Sequence, residues 1–468
     1  MTRHLSLWSN GYAVARDLHP KLIDVDRLRP LGRDTRKHPP GHIRKLKASI
    51  EQFGFVLPIV IDEIDRVVAG WGLVLAAAKL GLRQVPAVTL SGLGDAELRM
   101  LRLALNRLGE DSSWDVGALA LEFSDILELD GEIDLQITGF EMGEIDGLLD
   151  GNRTEEEDEI PAADANSAPV TRPGEFWVLG PHRILCADAR DPMSYERLVG
   201  DEKAQMLFAD PPYNVPIDGN VSGLGVVRHG EFAMASGEMS PPEFENFLRG
   251  SLGLAAHHSV DGAIHFICMD WRHLYELLAA TKGIYSEVKN LCVWNKTNAG
   301  MGSLYRSKHE LVFVFKVGTA PHINNVGLGK HGRSRANVWD YAGQNVPNGA
   351  KSKLSLHPTV KPVALVADAI RDCSDRQSIV LDPFGGAGST LIAAERTGRR
   401  ARLIEIGPQY VDVTVRRWQL LTGGTAVHAT TGEPFDDVQQ NRAEHRLPAG
   451  GFGPRQRRRS GHDEKTSK

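Results

Sequence analysis

The sequence predicts an α/β protein in which an open sheet carries a ligand site at the ends of its strands. Two observations predict this class. The apolar run 206–209 ends in a polar turn at 210–213, and far downstream the apolar run 379–381 ends in Asp382 and a glycine-rich turn. Buried strands that end in polar turns mark the edge at which open α/β sheets place their ligands.

The composition sets the outer limits of the interpretation. The 468 residues, of which 41% are hydrophobic and 24% charged, are enough for two or three domains. The four cysteines are widely scattered, which argues for a reducing cytoplasm and against a disulfide framework or a zinc site. No apolar stretch approaches the length that spans a bilayer. We therefore expect a cytoplasmic protein without a membrane partner.

The net charge of -6 decides little, because the charge is unevenly distributed. The run 155–159 is entirely acidic, and the stretch that follows is rich in Ala, Asp, Asn and Ser. Such a composition cannot bury a core, so we predict a flexible acidic linker over 151–172. The stretch 426–468, with arginines concentrated at 455–459, is predicted to be a disordered basic tail.

Two smaller regions precede the linker. In the region 18–110, apolar spacing predicts a helix over 43–53, strands over 58–61 and 66–69, a helix over 73–80 and a strand over 85–90. This order predicts a small α+β domain. Apolar residues in helical steps then predict a helical bridge over 111–150.

The turn at 210–213, here called the catalytic turn, suits the orientation of an amino group. The carboxylate of Asp210 can accept one hydrogen of the amine, and the carbonyl of Pro211 is free to accept the other. The rings of Pro211 and Pro212 hold the turn rigid, and Tyr213 offers a face for stacking. An amine conjugated to a ring is a weak nucleophile and has to be oriented for attack. The alternative interpretation is an ordinary surface turn, in which these residue types are common.

The glycine turn at 385–388 has the character of a second ligand-binding segment. Gly385, Gly386 and Gly388 let the backbone pass close to a ligand, and 389–397 has the composition of a helix. The pattern is neither the dinucleotide fingerprint nor a phosphate loop. Glu405 ends a further predicted strand about 20 residues beyond the glycines, the spacing at which an acid meets ribose hydroxyls.

These ordered motifs resemble the permuted group of S-adenosylmethionine-dependent DNA amino-methyltransferases, in which Asp-Pro-Pro-Tyr precedes the glycine turn. The segments 185–188 and 357–362 are also similar to motifs of that family, and the resemblance covers 173–425. It implies a Rossmann-like methyltransferase sheet with Asp210, Pro211, Pro212 and Tyr213 as catalytic residues. The cofactor-binding residues that it implies are Asp188, His357, Thr359, Lys361, Asp382, Phe384, Gly385, Gly386, Gly388, Ser389, Thr390 and Glu405. Gly386 is a small departure, because many relatives carry a bulkier residue there.

The element order in 18–110 resembles the ParB/sulfiredoxin-like domain. That family carries a glycine followed by basic residues that bind a nucleotide phosphate, and Gly70 stands at the matching position here. Trp71 and Leu73 put bulk where the family has charge. The departure argues against nucleotide hydrolysis and favours a role that faces DNA or another protein.

A segment over 318–356, rich in Gly, Asn, His, Lys and Arg, is predicted to be an irregular target-recognition insertion. Basic side chains there and just upstream suit contacts with bases and phosphates. A long surface loop is the alternative interpretation. The candidate DNA-binding residues are Arg306, Arg333, Arg335, Lys351 and Lys353.

The resemblance implies methyl transfer from S-adenosylmethionine to the exocyclic amine of a flipped adenine in double-stranded DNA, with no metal required. Asp at the first position of the catalytic turn accompanies mainly adenine in the family, and Ser mainly cytosine. A cytosine-N4 methyltransferase and a non-catalytic ParB-like DNA-binding or regulatory protein are the alternatives. The sequence leaves open the target sequence, the oligomeric state, a homodimer included, and any partner nuclease.

Overall fold

The computed structural model describes residues 6–7, 13–14, 19–150, 168–215, 237–296, 304–327, 335–342 and 360–444. Within these residues the chain divides into two compact units, the first formed mainly within 1–156 and the second mainly from 157 onward. In the described ranges, no helix is both long enough and apolar enough to cross a membrane.

The first unit is a small mixed sheet, of strand order β3-β7-β5-β6-β4 in its described part, with helices packed against it. Its elements are β1 (Ser6–Leu7), β2 (Ala13–Val14), β3 (Lys21–Asp24), β4 (Arg29–Pro30), α1 (Pro40–Phe53), β5 (Ile59–Ile61), β6 (Arg66–Ala69), α2 (Trp71–Lys79), β7 (Gln84–Thr89), α3 (Asp95–Arg107), α4 (Val116–Leu129) and α5 (Met142–Asp150). The helices and strands predicted from apolar spacing are all found, with small shifts at their ends.

The turn from β6 into α2 requires a glycine. Gly70 has a φ of 93°, and a Cβ at this position would lie 2.8 Å from the side chain of Ile59. Only glycine adopts this backbone conformation at low cost. Trp71 then begins α2 and packs against the core that includes Val67 and Val85. The bulk that replaces the family's basic residues therefore takes part in packing the first unit.

The second unit is built on a large sheet whose described strands follow the order β14-β12-β13-β11-β10-β15-β16-β9-β8-β17. Its elements are β8 (Phe176–Leu179), β9 (His182–Cys186), α6 (Pro192–Val199), β10 (Ala204–Ala209), α7 (Pro241–His257), β11 (Ser259–Met269), α8 (Leu274–Thr281), β12 (Glu287–Lys296), β13 (His309–Lys316), β14 (Val338–Tyr341), α9 (Val363–Cys373), β15 (Ile379–Asp382), α10 (Ser389–Thr397), β16 (Arg400–Glu405), α11 (Pro408–Thr422), β17 (Val427–His428) and α12 (Phe435–Glu444). The predicted α/β class, with a Rossmann-like sheet and a smaller α+β domain, is confirmed.

The centre of the large sheet is parallel. β10 pairs in parallel with β11 and β15, and β16 continues the parallel arrangement to β9. The carboxyl ends of these strands therefore meet at one edge of the sheet. β13 runs antiparallel to β11 and β12, so that its first residues, rather than its last, reach the same edge.

Both faces of the large sheet are covered, which explains the continuous apolar runs. Met206 and Phe208 pack into the hydrophobic cluster on one face, whereas Leu207 and Ala209 pack into the cluster on the other. Successive side chains of a strand point to opposite faces, so a strand covered on both sides is apolar throughout.

The predicted disordered tail is wrong for 426–444, where β17 and α12 close the far edge of the sheet. Phe435 is fully buried, and its ring lies edge-on to Trp177 at a centroid distance of 4.9 Å. α12 is otherwise polar, so the few apolar residues that anchor it gave little periodic signal. The predicted linker also ends too late, because the amide groups of Val170 and Thr171 donate to the buried carboxylate of Asp412 in the second unit.

The predicted irregular insertion over 318–356 is wrong for 338–341. These residues form β14, which pairs in parallel with β12, and Trp339 is buried against the sheet. A strand of this length, flanked by polar residues, is too short for apolar alternation to reveal.

We predict that Phe435→Ala destabilises the second unit by about 3 to 5 kcal/mol, because it removes a fully buried ring from close packing. A thermal unfolding measurement would show a lower Tm. Leu420→Ala is the control, because Leu420 lies on α11 with 64% of its surface exposed and should change the stability by less than about 0.5 kcal/mol. An unchanged Tm for Phe435→Ala would show that α12 does not contribute to the core.

Candidate active site

Acidic residues collect at the edge where the parallel strands end. Asp188 follows β9, Asp210 follows β10, and Asp382 and Glu405 are the last residues of β15 and β16. All of these carboxylates line a single pocket, together with the catalytic turn and much of the glycine turn. The pocket therefore occupies the place that the polar turns in the sequence predicted.

The catalytic turn is held by hydrogen bonds to both oxygens of Asp210. The hydroxyl of Tyr213 donates to Oδ1 at 2.7 Å, and the ammonium of Lys361 donates to Oδ2 at 2.6 Å. Asn214 has a φ of 52°, and its side chain is bonded to the backbone of Met239. The carboxylate thus faces the pocket in one fixed orientation.

Lys361 lies between two carboxylates. Its Nζ atom is 2.6 Å from Asp210 and 3.0 Å from Oε2 of Glu310, whose other oxygen is paired with Lys296. Burial by itself raises the pKa of Glu310, but Lys361 and Lys296 outweigh it and lower this pKa to about 2. Burial lowers the pKa of Lys361, but the two carboxylates reverse the effect and raise it. Lys361 and Glu310 are therefore both charged near neutral pH.

Glu405 supports the glycine turn from behind. Its oxygens accept hydrogen bonds from the amide groups of Gly386 and Gly407, each at 2.7 Å. Gly388 has a φ of 80°, and a Cβ there would lie 2.6 Å from Thr414. The backbone of the turn can pass this close to α11 only because residue 388 lacks a side chain.

The carboxylate of Asp382 is held by neutral hydrogen-bond donors, a hydroxyl and an amide. It accepts hydrogen bonds from the hydroxyl of Thr390 at 2.6 Å and from the amide of Phe384 at 2.9 Å. Burial, together with the negative charges of Asp210 and Glu405, outweighs these bonds and raises the pKa of Asp382 to about 7. The residue can therefore change its protonation state near neutral pH.

The far end of the pocket is more apolar. The rings of Phe247 and Phe384 lie 5.9 Å apart, and the guanidinium of Arg190 lies 5.8 Å from the centre of the Phe247 ring. Arg190 also pairs with Asp188 at 2.7 Å. Burial raises the pKa of Asp188, but Arg190 reverses the effect and lowers it. This end offers flat apolar surfaces beside a fixed negative charge.

The structure brings most of the predicted site residues together. Of the predicted site residues, those that line the pocket are Asp188, Asp210, Pro211, Pro212, Tyr213, Lys361, Asp382, Phe384, Gly385, Gly386, Ser389, Thr390 and Glu405. Gly388 does not line the pocket but immediately precedes α10, between the lining residues Gly386 and Ser389. Arg306 is exposed and Arg335 is half-buried, and neither lines the pocket. His357, Thr359, Arg333, Lys351 and Lys353 lie outside the described residues.

Two charged residues beside the site were not predicted. Glu310 is the second residue of β13, and Lys296 is the last residue of β12. The sequence signal was a charged residue at the end of each apolar run. Its meaning depends on the antiparallel direction of β13, which the sequence does not give. In the described part of the chain, no cluster of at least three His, Cys, Asp or Glu side chains could hold a metal ion.

Comparison with known proteins gives two family matches. Residues 204–416 match the N6/N4 methyltransferase model, described as DNA methylase, and residues 117–173 match the ParB-methyltransferase HTH domain. The second match includes α4 and α5, which the sequence predicted only as a helical bridge.

Individual relatives match each part of the chain. The Type II methyltransferase M2.MboI of Moraxella bovis is 25% identical over 232 residues, which cover 47% of this chain and 83% of that protein. The ParB-like nuclease domain-containing protein YnaK of Escherichia coli is 38% identical over 73 residues, which cover 16% of this chain and 84% of that protein. The crystal structure of the M1.HpyAVI-SAM complex is 20% identical with a TM-score of 0.37, and the match covers 50% of this chain and 97% of that one.

We predict that Asp382 makes the stability fall with rising pH. Its pKa in the folded protein is about 7, above the ordinary 3.8, so between these values the folded state binds more protons than the unfolded chain. Stability from this group is therefore lost as the pH rises through that window, at about 1.4 kcal/mol per pH unit. Asp382→Asn, which cannot ionise, should therefore gain stability relative to the native protein steadily from about pH 4 to about pH 7, and the difference should level off above that.

The measurement is the difference in Tm between variant and native protein as a function of pH. Asp437→Asn is the control, because Asp437 lies exposed on α12. A difference for Asp382→Asn that stays flat from about pH 5 to about pH 8 would contradict the raised pKa.

Proposed function

We propose that this chain transfers a methyl group from S-adenosylmethionine to the exocyclic amine of adenine in double-stranded DNA. The proposal agrees with the match of residues 204–416 to the DNA methylase model and with the ParB-like relative of the first unit. One observation carries the proposal. The catalytic turn and the glycine turn follow adjacent parallel strands, β10 and β15, and open into the same pocket. An amine held by the first turn therefore lies beside a ligand held by the second.

The residues of the pocket fit S-adenosylmethionine. Each oxygen of Glu405 accepts one backbone amide and keeps a lone pair for a ribose hydroxyl. The rings of Phe247 and Phe384 suit the flat face of an adenine, and the glycine turn lets the backbone approach the cofactor. When bound, the cofactor supplies an electrophilic methyl group on a sulfonium.

The catalytic turn orients the acceptor amine. Asp210 accepts one hydrogen and the carbonyl of Pro211 accepts the other, so that the nitrogen lone pair is directed at the methyl group. Positive charge develops on this nitrogen, and the carboxylate stabilises it. Tyr213 fixes the carboxylate through its hydroxyl and offers its ring to the base. A base inside a duplex cannot reach this pocket, so the target has to be flipped out.

The surface beside the pocket suits DNA. Leu304 and Tyr305 are 84% and 83% exposed, and they precede Arg306 in the segment that leads into β13. An exposed aromatic residue next to basic side chains can stack on bases while the cations meet phosphates. Arg306 and Arg335, together with Arg333, Lys351 and Lys353, remain our candidates for these contacts. We assign the ParB-like domain and the adjoining helices to DNA recognition.

Asp210→Ala should reduce methyl transfer by at least about 100-fold, because the amine loses its charged acceptor. The affinity for S-adenosylmethionine, measured by titration calorimetry, should change less than about twofold, because Glu405 and the glycine turn remain. Asp437→Ala, which removes an exposed acid of α12, is the matched control and should retain full activity. Loss of cofactor binding and of Tm together with activity would instead show that Asp210 supports the fold.

Adenine should be the modified base. A carboxylate at the first position of the catalytic turn stabilises developing positive charge better than a hydroxyl, which helps an amine conjugated into a purine. DNA methylated with labelled S-adenosylmethionine would be digested to nucleosides and separated by mass spectrometry. Label on N6-methyladenine is the expected result. Label confined to N4-methylcytosine would overturn the choice of base and leave methyl transfer intact.

A further inference from the structure

The ammonium of Lys361 has all of its hydrogen-bond donors engaged. It contacts Asp210 at 2.6 Å, Glu310 at 3.0 Å and the hydroxyl of Tyr213 at 3.2 Å, and only 5% of the side chain is exposed. A lysine ammonium has three N–H groups, so each partner receives one. Lys361 was expected at the cofactor, but its charged group lies in the network around the catalytic turn.

This sharing leaves Asp210 with free acceptor capacity. Its Oδ2 accepts from Lys361 and its Oδ1 accepts from Tyr213, so each oxygen keeps a lone pair for an incoming N–H group. If Glu310 were absent, Asp210 would be the only carboxylate paired with Lys361, and the lysine would neutralise it more completely. A fully neutralised carboxylate would be a weaker partner for the positive charge that develops on the amine.

We infer that Glu310 is a positioning residue for methyl transfer, which holds Lys361 between two carboxylates so that the lysine does not fully compensate the charge of Asp210 that faces the target amine. This inference rests on the proposed function. Glu310 acts only through Lys361, and no contact with substrate or cofactor is assigned to it. Lys296, at the end of β12, pairs with the other oxygen of Glu310 and keeps it ionised.

The groups that face this network decide its dependence on pH. Lys361 lies on the segment before α9, Lys296 on β12, Tyr213 on the catalytic turn and Cys268 on β11. Burial raises the pKa of Tyr213 and of Cys268, so both stay neutral. Burial also raises the pKa of Asp210, with a further rise from Glu310 and an opposing effect of Lys361. The loss of activity at acid pH should therefore follow the protonation of Asp210. Asp382 is the other carboxyl group of the pocket whose pKa is raised.

The test is the pH profile of kcat for Glu310→Gln. Removing the negative charge releases Lys361 to Asp210, so the pKa of Asp210 falls and the acid limb should move to lower pH by about one unit. At its optimum, kcat should fall about tenfold or more, while KM for S-adenosylmethionine stays within about twofold. Glu310→Asp, which keeps the charge, should restore part of kcat. The matched control is Glu287→Gln, because Glu287 lies at the opposite end of β12 and is paired with exposed Lys289.

A second variant predicts the opposite sign. Lys296→Met removes the outer cation, so Glu310 draws Lys361 more strongly and the acid limb should move to higher pH. This variant also tests the inference if Glu310→Gln fails to fold. An acid limb that stays at the native pH in a folded Glu310→Gln variant, whether its kcat is reduced or unchanged, would overturn the inference. Native protein that does not methylate DNA at all would instead overturn the proposed function.

Discussion

The parallel pairing of β10 with β15 is the constraint on which the site depends. Met206 pairs with Val380 and Leu207 with Leu381, so the two strands end at the same level of the sheet. Residues far apart in the sequence, Asp210 and those of the glycine turn, thereby open into one pocket. A shift of one residue would turn each side chain of β10 to the other face, against packing that is complete on both. Core packing therefore fixes the register, and the register fixes the site.

Several carboxylates lie at this same edge of the sheet, and each has different hydrogen-bond or ion-pair partners. Glu405 is held by backbone amides, Asp188 is paired with an arginine, and Asp210 shares a lysine with a second acid. Asp382 is bonded to a hydroxyl and an amide, and it is the group whose pKa is raised to about 7. These environments shift the pKa values of the carboxylates around one pocket differently: that of Asp188 is lowered, whereas those of Asp210, Glu405 and Asp382 are raised. Under the proposed function the carboxylates have different tasks, because an amine and a ribose donate hydrogen bonds to a carboxylate whereas a sulfonium is attracted by its charge.

The local features of the sequence predicted the second unit well, because strands that end in polar turns are visible in a short window. The catalytic turn, the glycine turn and the acid at Glu405 were all found in this way. Glu310 and Lys296 were missed because their meaning depends on the direction of β13 relative to β11. Phe435 was missed because its helix is otherwise polar and only tertiary packing against Trp177 explains it. What escaped prediction was pairing between distant segments.

The buried charges around the catalytic turn are better explained by chemistry than by stability. Removing an ion from water costs several kcal/mol, and well-packed apolar side chains would often serve the fold equally well. The clusters on both faces of the sheet are indeed apolar, whereas Asp210, Lys361 and Glu310 meet only where the strands end. Because these buried charges add little to the stability of the fold, we explain them by the function of the pocket. Under the proposed function, a carboxylate fixed in direction but not fully neutralised is what a weakly nucleophilic amine requires.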